Sequence, residues 1–80
     1  MDSINKQDII QILTDLRPEY DFSKEIDFFE EGMLDSFDII ALVTALDEKY
    51  KISIDGIDVI PENFASVEKI EALIKKNEGV

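Results

Sequence analysis

Residues 35–50 of the chain read DSFDIIALVTALDEKY, and their pattern decides the fold. On a helical wheel at about 100° per residue, five large side chains fall on one stripe. The members of this stripe are Ile39, Leu42, Val43, Leu46 and Tyr50. Asp35 is a residue type that caps helix N-termini, and Asp38 stands three positions later, where a capping box places an acid. The segment therefore predicts an α-helix with one face in the core.

The same helix also carries apolar residues on its opposite side. Four small or apolar residues cluster there: Phe37, Ile40, Ala41 and Thr44. Three acids lie at the border of this cluster: Asp38, Asp47 and Glu48. A small apolar patch ringed by acids is typical of a surface that docks transient protein partners. Alternatively, the preceding segment folds back over this side and buries Phe37 and Ile40.

Helical periodicity predicts two further main helices. The first runs from Ser3, a suitable N-cap, to about Leu16, and Pro18 ends it because the residue before a proline avoids helical backbone angles. Its apolar stripe consists of Ile9, Ile12, Leu13 and Leu16. The last helix starts near Ser66, which is again a plausible cap. Its apolar stripe consists of Val67, Ile70, Leu73 and Ile74.

Two connecting segments lack a clear helical period. Residues 17–34 predict a long loop, which we expect to be ordered because its aromatic side chains can anchor it on the core. Residues 51–63 hold four isoleucines, are broken by Gly56 and end at Pro61. A single short strand has no partner, so this stretch predicts an extended link into a short third helix. The expected fold is one domain, residues 1–80: an all-α four-helix bundle with three main helices and one short helix.

Composition limits the chemistry of the chain. It has 19 acidic and 8 basic residues, a formal net charge of -11, and neither Cys nor His. This charge disfavours nucleic acid and anionic membranes as partners and favours basic patches on other proteins. Without Cys and His the chain has no disulfide, thiolate nucleophile or usual zinc site, so we expect neither catalysis nor a bound metal. No apolar run resembles a signal peptide or a membrane span, and a cytoplasmic monomer is expected.

Ser36 follows the predicted cap at the first helical position. From position alone it is an ordinary helix-start residue. Two physical points favour a chemical role for it. A helix N-terminus has unpaired N–H groups and positive dipole potential, which suit a phosphate ester, and a side chain there projects from the edge of the domain. Ser36 is not a hydrolase-type nucleophile, because the chain has no histidine to act as its base.

Residues 31–37, EGMLDSF, resemble the attachment motif of acyl carrier proteins. The order and length of the predicted segments are similar to that family over nearly the whole chain. The resemblance implies that Ser36 receives a 4'-phosphopantetheine arm from coenzyme A, attached by a phosphopantetheinyl transferase with magnesium. The thiol of this arm would hold an acyl group as a thioester, so the chain would carry the group without being an enzyme.

The resemblance also implies partner enzymes with basic docking patches, namely acyl- or aminoacyl-loading ligases and acyl-transferring enzymes. The acids implied to meet those patches are Asp35, Asp38, Asp47 and Glu48. Phe37 and Ile40 would be apolar anchors in the same contacts. Relatives also shelter the acyl chain between helices. The residues implied for this pocket are Leu42, Val43 and Leu46.

Departures from the family pattern leave the acyl cargo open. Phe37 replaces the leucine usual in fatty-acid carriers, and residues 29–37, FEEGMLDSF, are more like D-alanyl carrier proteins. Those proteins usually have glycine where this chain has Asp38 and tryptophan where it has Phe64. The two-glycine motif of modular peptide synthetase carriers is missing. Fatty-acid synthesis, D-alanyl transfer and another specialised acyl or aminoacyl pathway are therefore all open.

Two other classes of function compete with a carrier. An unmodified acidic interaction module would use the same helix face for binding, without covalent chemistry at Ser36. A calcium-binding loop would span residues 27–38, which have acids at the first, fifth and twelfth positions and Gly32 at the sixth. Phe29 at the third ligand position and the short side chain of Asp38 count against the calcium loop.

Overall fold

The computed structural model describes residues 4–78, which contain three α-helices and two short 3-10 helices. The α-helices are α1 (Lys6–Leu16), α2 (Ser36–Tyr50) and α3 (Val67–Glu78). The 3-10 helices are Gly56–Asp58 and Pro61–Phe64, both between α2 and α3. No β-strand occurs within residues 4–78, so the predicted all-α class is confirmed for them.

The three α-helices begin at side-chain caps. Asn5 caps α1, since its Oδ1 accepts a hydrogen bond from the Gln7 N–H at 2.8 Å. The predicted cap, Ser3, lies outside the described residues. Ser66 precedes α3 as predicted, and its Oγ accepts from the Lys69 N–H at 3.2 Å. These contacts satisfy N–H groups that a helix leaves unpaired at its start.

The prediction of one short third helix is not confirmed in detail, because residues 56–64 form two separate 3-10 helices. Ile60 is extended, with φ -132° and ψ 151°, as expected for a residue before proline. A helix therefore cannot run through it. Pro61 begins the second 3-10 helix instead of ending the segment. Proline is tolerated there because the N–H group it lacks would have no partner in the first turn of a helix.

The long loop between α1 and α2 is ordered on the core, as predicted. Its Phe22 and Phe28 are fully buried and meet edge to face, with ring centroids 5.0 Å apart. The Phe28 N–H donates to the Ala65 carbonyl at 2.8 Å, and the Phe28 carbonyl accepts from the Met33 N–H at 2.8 Å. These contacts fix the path of the chain just before α2 begins.

The core face predicted for α2 is confirmed. Ile39, Leu42 and Leu46 are buried, while Val43 and Tyr50 are half-buried and pack against the same core. α1 and α3 supply the facing side chains. The buried members of those two helices are Ile9, Leu13, Ile70, Leu73 and Ile74.

The Tyr50 hydroxyl is an exception within this packing. Its oxygen is buried and has no hydrogen-bond partner among residues 4–78. Burial raises the pKa of Tyr50 above its ordinary value of 10.0, and the negative charges of Asp8, Glu78 and Glu71 raise it further. The hydroxyl therefore adds an unmet polar group to the core, which costs stability.

Leu46→Ala should lower the free energy of unfolding by about 2–5 kcal/mol, because it leaves a cavity at a fully buried site. Urea denaturation measures this loss. Glu48→Ala, at an exposed position of the same helix, should stay within about 0.5 kcal/mol of the unsubstituted chain. Equal losses for the two variants would contradict the assigned core face.

Tyr50→Phe should leave the free energy of unfolding unchanged or raise it by about 1 kcal/mol, because the ring stays and only the unpaired hydroxyl is removed. The tyrosine ionises near pH 10 in the unfolded chain and at higher pH in the folded chain. Stability therefore falls as the pH rises above about 10, and the Phe variant lacks this part of the fall. Thermal unfolding at neutral pH and near pH 11 measures both effects. A clear loss of stability at neutral pH would show that the hydroxyl has a partner.

Candidate functional site

Ser36 is the first residue of α2 and is exposed. No residue between 4 and 78 hydrogen-bonds with its hydroxyl, so the oxygen is accessible for chemistry. Its backbone is held on both sides. Asp35 before it is extended, with φ -135° and ψ -176°, and the helical angles begin at Ser36 itself. The serine is thus a reachable side chain on a fixed backbone.

A capping box holds the start of α2, as the sequence predicts. Asp35 Oδ1 accepts hydrogen bonds from the Phe37 N–H at 3.0 Å and the Asp38 N–H at 3.1 Å. In return, Asp38 Oδ2 accepts from the Asp35 N–H at 3.0 Å. Ser36 lies inside this reciprocal pair. Its position therefore depends on both aspartates.

The capping box changes one sequence-based expectation about Ser36. Unpaired N–H groups at the helix start were expected to suit a phosphate ester. The N–H groups of Phe37 and Asp38 are instead paired with the Asp35 carboxylate, so that expectation is wrong for these two groups. What remains favourable is the accessibility of Ser36 and the positive end of the helix dipole, which the acids of the box partly offset.

Arg17, the sole arginine of the chain, binds the acids of the capping box from the end of α1. Its Nε lies 3.2 Å from Asp38 Oδ1 and 3.0 Å from Asp38 Oδ2, and its Nη2 lies 3.0 Å from Asp38 Oδ2. Nη2 also lies 3.4 Å from Asp35 Oδ2, and Nη1 lies 3.6 Å from Glu19 Oε2. The Asp38 carboxylate above all raises the pKa of Arg17. The guanidinium is therefore a stable positive charge against the two acids of the capping box.

No helix cap or apolar stripe in the sequence points to Arg17. Its partner Asp38 lies 21 residues away, and no helical or strand spacing relates the two positions. The available signals were its uniqueness among 8 basic residues and its place just before Pro18, at the predicted end of the first helix.

The structure corrects the prediction that Asp38 offers its carboxylate to partners. The Asp38 side chain is only 12% exposed, and both of its oxygens face Arg17. Asp47 is half-buried, and its Oδ1 accepts from the Ile54 N–H at 3.1 Å. Among the predicted docking acids, Asp35 and Glu48 are exposed to solvent.

The second apolar side of α2 is exposed. Phe37 is 83% exposed and Ile40 is 65% exposed, so the alternative in which the long loop buries them is wrong. Ala41 and Thr44 are exposed beside them. We refer to Phe37, Ile40, Ala41 and Thr44 as the α2 patch. An exposed phenylalanine directly after Ser36 places an apolar contact at the candidate site.

A comparison with protein-family models matches residues 7–74 to the phosphopantetheine attachment site family. The matched segment runs from α1 into α3 and is well over half of the chain. The chain belongs to the phosphopantetheine attachment site family. Members are acyl carrier protein-like domains that carry 4'-phosphopantetheine covalently on a serine. No match was found among curated proteins or among solved structures.

Carrier domains of this family are not catalytic; they interact with transferases and other enzymes. The residues at Ser36 fit the group that the family carries. The hydroxyl is exposed, its backbone is fixed, and the chain has no cysteine of its own to supply a thiol. Among the described helices, none has both the length and the apolar character needed to cross a membrane.

The residues predicted to shelter an acyl chain lie in the core of this carrier domain. Leu42 and Leu46 are fully buried, and Val43 is half-buried against the same cluster. A cavity of about 230 Å³ lies elsewhere, between the start of α1, the long loop and the start of α3. Its apolar lining comes from Ile10, Phe22 and Val67. An acyl chain would reach Leu42 and Leu46 only if the helices moved apart, so the pocket stays a prediction.

The calcium-loop alternative does not agree with the geometry. Its last ligand would be Asp38, whose carboxylate is bound by Arg17 and the Asp35 N–H. Its first ligand would be Asp27, whose Oδ1 accepts from the N–H groups of Phe29 and Glu30. Residues 4–78 contain no group of three or more acids placed to hold a metal ion.

Proposed function

We propose that this carrier chain holds acyl or aminoacyl groups as thioesters on a 4'-phosphopantetheine arm at Ser36 and presents them to partner enzymes. The observation that carries the proposal is the exposed Ser36 hydroxyl, without a partner among the described residues, inside the capping box that opens α2. The family match supplies the kind of group. The arm supplies a thiol, which a chain without cysteine lacks.

In the attachment reaction, the chain supplies only the attacking hydroxyl of Ser36. Ser36 Oγ forms a bond to the phosphorus that bears the pantetheine in coenzyme A. The bond from that phosphorus to the adenosine bisphosphate breaks, and the hydroxyl proton passes to the transferase. The carboxylates of Asp35 and Asp38 are held by backbone N–H groups and Arg17, so neither is placed as a base for Ser36. We infer that the transferase supplies the base and the magnesium ion.

The α2 patch is the surface we propose for docking the transferase, the loading ligase and the acyl-transferring enzymes. Phe37 and Ile40 give apolar contact area, and exposed carboxylates lie at the cap of the helix, on Asp35, and within it, on Glu48. With a net charge of -11, the chain is attracted to basic surfaces, which raises the rate of encounter more than the lifetime of the complex. The apolar anchors then set the affinity.

The cargo is proposed only as an acyl or aminoacyl group. One departure from the D-alanyl carriers now has a structural explanation, because Asp38 replaces the glycine usual there and binds Arg17. The change from glycine to Asp38 therefore serves a local ion pair, and it does not count against an aminoacyl cargo. Fatty-acid and other specialised acyl pathways fit the same site. For a long acyl chain, we propose that Leu42, Val43 and Leu46 line the space it enters when the helices separate.

An unmodified interaction module is the alternative from another class. The exposed α2 patch favours it, since the patch can bind a partner whether or not Ser36 is modified. It predicts docking without a gain in mass, and the next experiment separates the two.

Incubation with coenzyme A, magnesium and a phosphopantetheinyl transferase of broad specificity should add the mass of one phosphopantetheine group. Intact-protein mass spectrometry measures the gain. Ser36→Ala should gain nothing. Ser53→Ala, which removes an exposed hydroxyl outside the α2 patch, should gain the same mass as the unsubstituted chain. The carrier assignment fails if the unsubstituted chain gains no mass, and the assignment of Ser36 fails if the Ser36→Ala variant is modified.

Phe37→Ala should lower the kcat/KM of arm attachment by about tenfold, mainly by raising the KM for the carrier, because a central apolar anchor is lost. The free energy of unfolding should change by less than about 0.5 kcal/mol, since the side chain is 83% exposed. Ile40→Ala should act in the same direction. The control is Gln11→Ala, at an exposed position of α1 outside the α2 patch. Unchanged KM values for both patch variants would contradict the docking surface.

A further inference from the structure

One side chain joins the end of α1 to the start of α2. The Arg17 backbone N–H closes α1 by donating to the Leu13 carbonyl at 2.9 Å, which fixes its Cα at the end of that helix. Its guanidinium reaches Asp38 in the first turn of α2, across the long loop. The planar guanidinium meets the two carboxylate oxygens with two of its nitrogens, a geometry that lysine cannot reproduce.

Asp38 Oδ2 is shared between this ion pair and the capping box. It accepts from Arg17 and also from the Asp35 N–H, at 3.0 Å in each case. The Asp38 side chain is 12% exposed, so its negative charge has little water to stabilise it. Without Arg17, a mostly buried carboxylate would be left unpaired, which is strongly unfavourable. The carboxylate would then turn toward solvent, and the capping box would weaken.

We propose that Arg17 is a positioning residue for arm attachment at Ser36, acting through Asp38 and the capping box. The inference rests on the proposed function, since it concerns the same serine. Arg17 holds Asp38 in place, Asp38 holds the Asp35 N–H, and the box fixes Ser36 relative to the α2 patch. A transferase docked on the α2 patch then meets Ser36 Oγ in one position. Misplacement of a reacting atom by about 1 Å can cost about 100-fold in rate.

A second ion pair provides a matched control. Lys76 Nζ lies 3.0 Å from Asp58 Oδ2, and the Asp58 side chain is 13% exposed, much like that of Asp38. This pair joins α3 to the first 3-10 helix, and its hydrogen bonds do not involve the capping box. Lys76→Gln and Arg17→Gln therefore remove the same charge from the same kind of pair. Only Arg17→Gln touches the start of α2.

Arg17→Gln should lower the kcat of arm attachment by about tenfold or more, with a smaller change in the KM for the carrier, because the α2 patch is intact. Arg17→Lys, which keeps the charge without the planar fork, should recover part of the loss and also serves if the Gln variant folds poorly. Lys76→Gln should keep the kcat of the unsubstituted chain. Equal kcat losses in the Arg17→Gln and Lys76→Gln variants would overturn the proposal, since both would then report stability alone.

Amide hydrogen exchange gives a readout that does not depend on attachment. The Asp35 N–H donates to Asp38 Oδ2, so it should exchange faster in Arg17→Gln than in Lys76→Gln, at matched global stability. A double-mutant cycle adds a second check. Because Arg17 acts through Asp38, Asp38→Asn should add little further loss of kcat to Arg17→Gln. Unchanged Asp35 exchange, or fully additive kcat losses, would overturn the role of Arg17.

The two proposals fail in distinguishable ways. An unsubstituted chain that accepts no arm overturns the carrier function and, with it, the role of Arg17 in attachment. An unsubstituted chain that is modified at Ser36, together with an unchanged kcat for Arg17→Gln, overturns the role of Arg17 alone.

Discussion

The reciprocal hydrogen bonds between Asp35 and Asp38 are the constraint on which the rest of the site depends. They pair N–H groups that a helix start leaves unpaired, and they fix the residue between the two aspartates. Ser36 is that residue, and its hydroxyl stays exposed. The 3.6-residue period of the helix then places Leu42 and Leu46 in the core and leaves Phe37 in solvent.

The division of α2 into two apolar sides accounts for a chain that takes part in chemistry without performing it. One side builds the core with α1 and α3, and the other leaves Phe37 and Ile40 in solvent at 83% and 65% exposure. A chain of 80 residues has a small stability margin, and exposed apolar side chains add little to it. Under the proposed function, contact with other proteins explains their presence beside Ser36. The chain would then supply an attachment point and a docking face, and its partners would supply the catalytic groups.

Much of this arrangement follows from local sequence, because caps and helix faces depend on residues a few positions apart. The cap at Asp35, the core stripe of α2 and the solvent side with Phe37 were all predictable in this way. The Arg17–Asp38 ion pair was not, since it joins positions 21 residues apart whose meeting depends on how the loop packs. Because of that pair, Asp38 is buried and does not lie on the surface as a docking acid. The prediction for the segment before α3 missed its two 3-10 helices for a different reason. The proline at the centre of this segment can either end one helical turn or begin another.

The central claim is that Ser36, and no other hydroxyl, carries the arm. The most direct measurement is peptide mapping of the chain produced in cells that contain a phosphopantetheinyl transferase. Cleavage after Lys24 and Lys49 yields residues 25–49, a peptide whose hydroxyl side chains are Ser36 and Thr44. Fragmentation of this peptide locates the added group. The account predicts one phosphopantetheine group on Ser36, whereas an unmodified peptide, or an arm on Thr44, would contradict it.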